Sequence, residues 1–185
     1  MADPRDPRPL TGEPLALDLL NTRWRDAGEH DLLADLDGYR LWLSSAGLAD
    51  RCTADRAGLA AAREARSALE ALVDTPGSAA GRNALNAVLA HGGVHRTLTA
   101  DGPADIVRTD GPEQLAAWLA ADDYLGLLRR DAHRIKRCAH PACILHFFDT
   151  SQNGRRRWCS MAVCGNRSKA ARHYERTART ESAGR

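Results

Sequence analysis

Four of the five cysteines in this chain fall in two pairs, Cys138 with Cys143 and Cys159 with Cys164, each pair enclosing four residues and the pairs separated by fifteen. Two short loops at that separation can turn all four sulfurs toward one point while the intervening segment closes on itself, which is the geometry of a tetrahedral thiolate site. The pattern points to one structural Zn2+. Four thiolates leave it no open coordination position for catalysis. His140 and His146 are the other donors in the same stretch, and an iron-sulfur cluster is the other group that four cysteines hold. A module of roughly forty residues does not fold on apolar contacts alone, and a structural zinc adds on the order of 10 kcal/mol of apparent binding energy to its folding.

The residues between and after the pairs suggest how the loops are carried. Ile144 to Phe148 is an apolar run, Gln152-Asn153-Gly154 is a turn signal, and Arg155 to Trp158 is predicted to return as the second strand of a hairpin. Beyond Cys164 the stretch Lys169 to Arg179 has no Pro or Gly and predicts a helix of about three turns. Knuckle, hairpin, then a second cysteine pair at a helix start is the order of a treble-clef-like zinc finger.

The run Trp158-Cys-Ser-Met-Ala-Val-Cys-Gly-Asn-Arg167 after a first Cys-x4-Cys pair resembles the CGNR zinc finger family, named for the tetrapeptide found here as Cys164 to Arg167. Upstream, Leu15-Ala-Leu-Asp-Leu-Leu-Asn-Thr22 is similar to the opening of the ABATE domain that precedes this finger. The resemblance covers most of the chain. It implies a bacterial, stress-induced transcriptional regulator that binds duplex DNA through its C-terminal finger.

Charge is divided along the chain. From Arg129 onward there are fourteen Lys or Arg against four Asp or Glu, a net of +10, whereas the preceding residues carry a net of −8. An acidic body with a basic polyanion-binding module has this profile, as do two halves of a complementary contact. Five cysteines in a chain whose first residues, MADPRDPRPL, lack an apolar signal core favour metal over disulfides and a cytoplasmic protein without membrane spans. Cys52 reads as a half-buried small apolar residue.

In order, residues 1–14 are rich in Pro, Asp and Arg and read as a mobile lead-in. Residues 15–133 read as a mainly α domain with a small β-hairpin, an α+β body. Its expected helices are Leu15 to Arg23, a segment from Gly38 to Gly47, a long helix capped by Thr53 and running to Val73, Ala80 to His91, and a region beginning at Gly111. In the long helix, Leu59, Ala62, Ala65 or Arg66, Leu69, Leu72 and Val73 form one stripe, a core face. Val94 to Thr99 and Ile106 to Thr109 flank Asp101-Gly102-Pro103 as a hairpin. Residues 134–180 form the finger and 181–185 a disordered tail.

Lys169, Arg172, Arg176 and Arg179 recur at helical spacing as a basic stripe able to track phosphates. Arg155 and Arg157 share one side of an extended segment. With Asn166 and Arg167 these are the candidate DNA-binding residues. Gly165-Asn166-Arg167 has a second, structural reading: a backbone turn, a helix cap, and a cation countering the thiolates. Asp18 and Asn21, polar beside an apolar face, are cap or turn residues or the lining of a ligand pocket. No nucleophile elbow, phosphate loop or dinucleotide fingerprint is present, so no enzyme is indicated. The sequence therefore supports a DNA-binding regulator whose N-terminal domain senses an unidentified small-molecule effector or forms a homodimer. The other reading is a zinc-stabilised module that docks an acidic protein or RNA.

Overall fold

A computed structural model of the chain describes residues 3–169. Helix α1 (Leu15–Leu20) leads into a short hairpin of β1 (Arg23–Arg25) and β2 (Glu29–Asp31), with Trp24 stacked on His30 across it at 4.8 Å. Helices α2 (Leu36–Ser45), α3 (Arg56–Asp74) and α4 (Ala79–Ala90) follow. A long antiparallel hairpin, β3 (Gly92–Thr99) with β4 (Gly102–Thr109), precedes helix α5 (Leu115–Asp131). A last pair, β5 (Ile135–Arg137) with β6 (His146–Phe148), opens the cysteine module. The expected fold, a helix-rich body with small hairpins followed by a C-terminal four-cysteine module, is the one observed.

Helix starts are set by short polar side chains that accept from otherwise orphaned amides. Asp35 accepts from the Gly38 N–H at 2.8 Å, which starts α2 at Leu36 rather than at Gly38. Asp55, not Thr53, caps α3 by accepting from the Gly58 N–H at 2.7 Å. Ser78 does the same for α4 from Gly81 at 3.1 Å. Gly47, with φ of 69°, ends α2 in the left-handed conformation that glycine adopts without a Cβ clash.

The long helix α3 buries Leu59, Ala62, Ala65, Leu69 and Leu72 against α1, α4 and α5. The facing stripe of α5 is small, with Ala116, Ala117, Ala120 and Ala121 all buried, so the helix axes can approach closely. The leucines of α5 are mixed: Leu127 is buried, Leu115, Leu119 and Leu125 are half-buried, and Leu128 is exposed. Arg66 occupies the buried stripe of α3 because its guanidinium pairs with both Asp31 oxygens, at 2.6 and 2.8 Å, and with Thr22 Oγ1 at 2.8 Å. That contact fastens the first hairpin to the body.

The first segment does not float. Arg8 is buried, donating to Asp6 and Asp18, while Asp18 also accepts from Trp42 Nε1 at 3.0 Å and from the Gly12 N–H at 3.1 Å. From Asp3 on, the lead-in read as mobile is a packed strap laid across α1 and α2. Asp123 of α5 accepts from the Ala16 N–H at 2.9 Å and so caps α1 from across the core.

Candidate metal centre and basic surface

Cys138 and Cys143 flank a tight loop closed by the Cys143 N–H donating to the His140 carbonyl at 2.9 Å. The first pair is tied to its neighbours through the Cys138 N–H and the Leu145 carbonyl, 2.9 Å, and the Ala139 N–H and the Arg157 carbonyl, 2.8 Å. Cys159 ends an extended run and Cys164 sits in a π-helical turn, Met161–Gly165, started by Ser160 Oγ accepting from the Val163 N–H. The helix therefore begins before Cys164, well ahead of Lys169. The residues of that expected helix beyond Lys169, Arg172 and Arg176 among them, lie outside the described residues.

The four sulfurs lie within 4.8 Å of one another and all four residues are buried. Cys143 and Cys159 sulfurs are 3.8 Å apart, Cys159 and Cys164 sulfurs 3.6 Å. Bonds of about 2.3 Å to a tetrahedral zinc require sulfur separations of about 3.8 Å, so the cluster fits that ion. The close-set thiols perturb one another. The hydrogen bond from Cys159 pulls the Cys143 thiol down to about 5, while hydrogen bonding to the Cys143 thiolate pushes Cys159 far up. Burial pushes Cys164 up to about 12. These four cysteines would hold the ion as thiolates, so binding would be coupled to release of their protons. His140 is not a ligand; its Nδ1 accepts from the Ala142 N–H at 3.3 Å.

The segment Arg155 to Trp158 forms no strand. The partner of β6 is β5, upstream of the first knuckle, because Lys136 reaches across to the Asp149 carboxylate at 2.6 Å and to the Gly154 carbonyl at 2.5 Å, fixing the turn beneath the sheet. The extended run nonetheless alternates: Arg155 and Arg157 are exposed and Arg156 turns inward. Arg156 stacks over Phe147, 4.2 Å from the ring centroid, and donates to the Trp158 and Cys159 carbonyls, orienting the second cysteine loop. Arg137, Arg155, Arg156 and Arg157, with Lys136, line a shallow open groove of about 510 Å³ on the module's surface.

Family models agree with this division. Residues 13–131 match ABATE, described as "Putative stress-induced transcription regulator". The chain belongs to the ABATE family. The model of the CGNR zinc finger matches residues 134–177 of this ABATE protein, so its four clustered cysteines are a zinc-binding centre. Neither model describes an enzyme. No curated protein matches the sequence. Among the described residues no helix is long and apolar enough to cross a membrane.

Within the CGNR tetrapeptide the roles separate. Cys164 is a ligand. Gly165 is buried where a Cβ would lie 2.9 Å from Met161 Sδ. Asn166 does not cap the helix start; its Nδ2 donates back to the Ala162 carbonyl at 3.2 Å. Arg167 and Lys169 are exposed, Arg167 at the rim of a small cavity over Cys143 and Cys159.

The ABATE domain grips its finger through residues that the sequence does not single out for that task. Glu13 accepts from the Phe148 N–H at 2.9 Å and pairs with Arg156 at 3.4 Å. Asn21 holds the main chain of His146, and Asp18 anchors the strap. Their polar atoms are taken by the protein itself.

Proposed function

We propose that this ABATE protein is a transcription regulator that binds duplex DNA through the finger, with phosphate contacts supplying most of the affinity. The observation that carries the reading is the basic groove: Arg137, Arg155 and Arg157 stand exposed along a rigid zinc-braced surface, and the inward turn of Arg156 keeps its two neighbours on one side. Arg167 and Lys169 are also exposed, and Arg172 and Arg176 continue the basic pattern in the sequence. Paired arginines match phosphate geometry. Arg167, at the start of the helical turn after Cys164, is the residue suited to a guanine edge.

The burial of Phe147 and Phe148 speaks against the RNA reading, which needs exposed rings for base stacking. Self-association of the body is supported by the projecting hairpin, where Val94, Leu98 and Ile106 are exposed apolar residues. The family description supplies stress as the setting in which such a regulator acts.

Selection of bound fragments from a random duplex pool, with wild-type protein and an Arg167→Ala variant that retains zinc, tests the reading. Enrichment of a sequence by the wild type and its loss in the variant is the expected result. An unenriched wild-type pool contradicts operator-specific binding.

A further inference from the structure

A cavity of about 310 Å³ opens between the body and the finger, bounded by the C-terminal part of α3, by α4, by the end of α5 and by strands β5 and β6. Its walls are apolar, from Leu72, Leu85, Tyr124, Leu128 and Ile135. Leu128 is 40% exposed, the kind of residue that a bound apolar group would cover. Arg82 and Arg137 stand at the cavity, and no Asp or Glu is among its lining in the described residues. His146 lines it from the finger; the residue is 7% exposed and its Nε2 has no hydrogen-bond partner among the described residues. A buried polar nitrogen without a partner is costly unless a ligand or water supplies one.

We infer that this cavity binds a small organic anion with an apolar body, an aryl or medium-chain carboxylate, whose hydrocarbon part fills the leucine-lined wall and whose carboxylate meets Arg82 and Arg137. A volume near 300 Å³ is at the lower end of ordinary small-molecule sites, which are mostly apolar with a few convergent polar groups. Two guanidinium groups without a competing carboxylate in the lining select a negative head group. The nearest acid to Arg137 is Asp74 at 3.8 Å, with both side chains more than half exposed, so the arginine is free to be drawn in.

The location gives binding a consequence. Arg137 also lines the basic groove, and His146 belongs to the strand that follows the first zinc knuckle. A carboxylate that recruits Arg137 withdraws a cation from the DNA-facing surface, so the ligand weakens DNA binding. This consequence rests on the DNA-binding reading; the site itself does not.

The test titrates the zinc-loaded full chain with 2-naphthoate and with octanoate, each against its neutral amide, by calorimetry. Each acid that binds should do so about tenfold more tightly than its amide, the equivalent of one charge-assisted hydrogen bond. Arg82→Gln with Arg137→Gln should erase that preference, and Leu128→Glu, at an exposed position, should block both forms. Absence of binding by both acids at millimolar concentration, or acid and amide binding equally to the wild type, overturns the site. If an acid binds as expected while a labelled duplex is not bound even without it, the DNA-binding reading fails and the site stands.

Discussion

Asn21 in the body holds both main-chain groups of His146 in the finger: its Oδ1 accepts from the His146 N–H and its Nδ2 donates to the His146 carbonyl, each at 2.9 Å, across 125 residues of sequence. The amide thereby acts as one more β-strand partner for β6, whose other side pairs with β5. The finger is docked by main-chain hydrogen bonding as well as by apolar packing, with no flexible linker between α5 and β5.

Replacing Asn21 with Ala removes that clamp and leaves two buried main-chain groups unpaired, at a cost of about 3 kcal/mol. Thermal unfolding of the zinc-loaded variant should show a lowered midpoint and a separate, earlier transition for finger undocking. An unchanged single transition contradicts the clamp.

Asp18 is read as architecture, and the size of its effect distinguishes that role from ligand binding. Asp18→Ala leaves the buried guanidinium of Arg8 with Asp6 as its one carboxylate partner among the described residues and strands the indole N–H of Trp42, so stability should fall by about 3 kcal/mol without any ligand present. Urea denaturation of the variant checks this.

Zinc removal should unfold the finger and spare the body. A chelator, or any one of Cys138→Ser, Cys143→Ser, Cys159→Ser and Cys164→Ser, should abolish the tertiary signal of Trp158 while most of the helical circular dichroism persists. Cys52→Ser, at a buried position remote from the cluster, should keep full zinc content. Elemental analysis beside near-ultraviolet dichroism reads both outcomes.

His146 makes stability depend on acidity. Burial pushes its imidazole from the ordinary 6.5 down to about 4, with Arg137 acting in the same direction and Asp74 opposing. The folded state therefore favours the neutral ring. This contribution is full above about 6.5 and is lost as pH falls from there through about 4, amounting to roughly 3 kcal/mol over the window. At saturating zinc, the difference in unfolding free energy between wild type and His146→Gln should shrink across that window, since the zinc-linked part is common to both. A constant difference contradicts the assignment.

Much of the fold is legible in the sequence because its signals are local. The α3 stripe from Leu59 to Leu72, the hairpin around Gly102 and the paired cysteines each declare themselves within one or two turns of chain. What is not legible is long-range. Nothing near Ile144 to Phe148 says that its strand partner precedes Cys138, because the choice rests on Lys136 reaching Asp149 and on the fit of Phe147 under Arg156. The strap of residues 3–14 reads as disordered by composition, yet Arg8 finds two carboxylates, one of them on α1. The arginine triplet is visible as charge; that Arg156 belongs to the cysteine loop and its neighbours to the surface follows from the extended backbone alone.

In the proposed function the zinc-braced groove grips phosphates. The measurement that tests it most directly is the affinity of a fluorescent duplex for the zinc-loaded protein as a function of KCl concentration. Wild type should show a log-log slope of about −4, for four to five neutralised phosphates, and Arg155→Ala with Arg157→Ala should make that slope shallower by about 2. The inward-facing Arg156→Ala should instead loosen the second cysteine loop and lower zinc retention. A wild-type slope near zero, or a slope unmoved by loss of Arg155 and Arg157, would contradict the account.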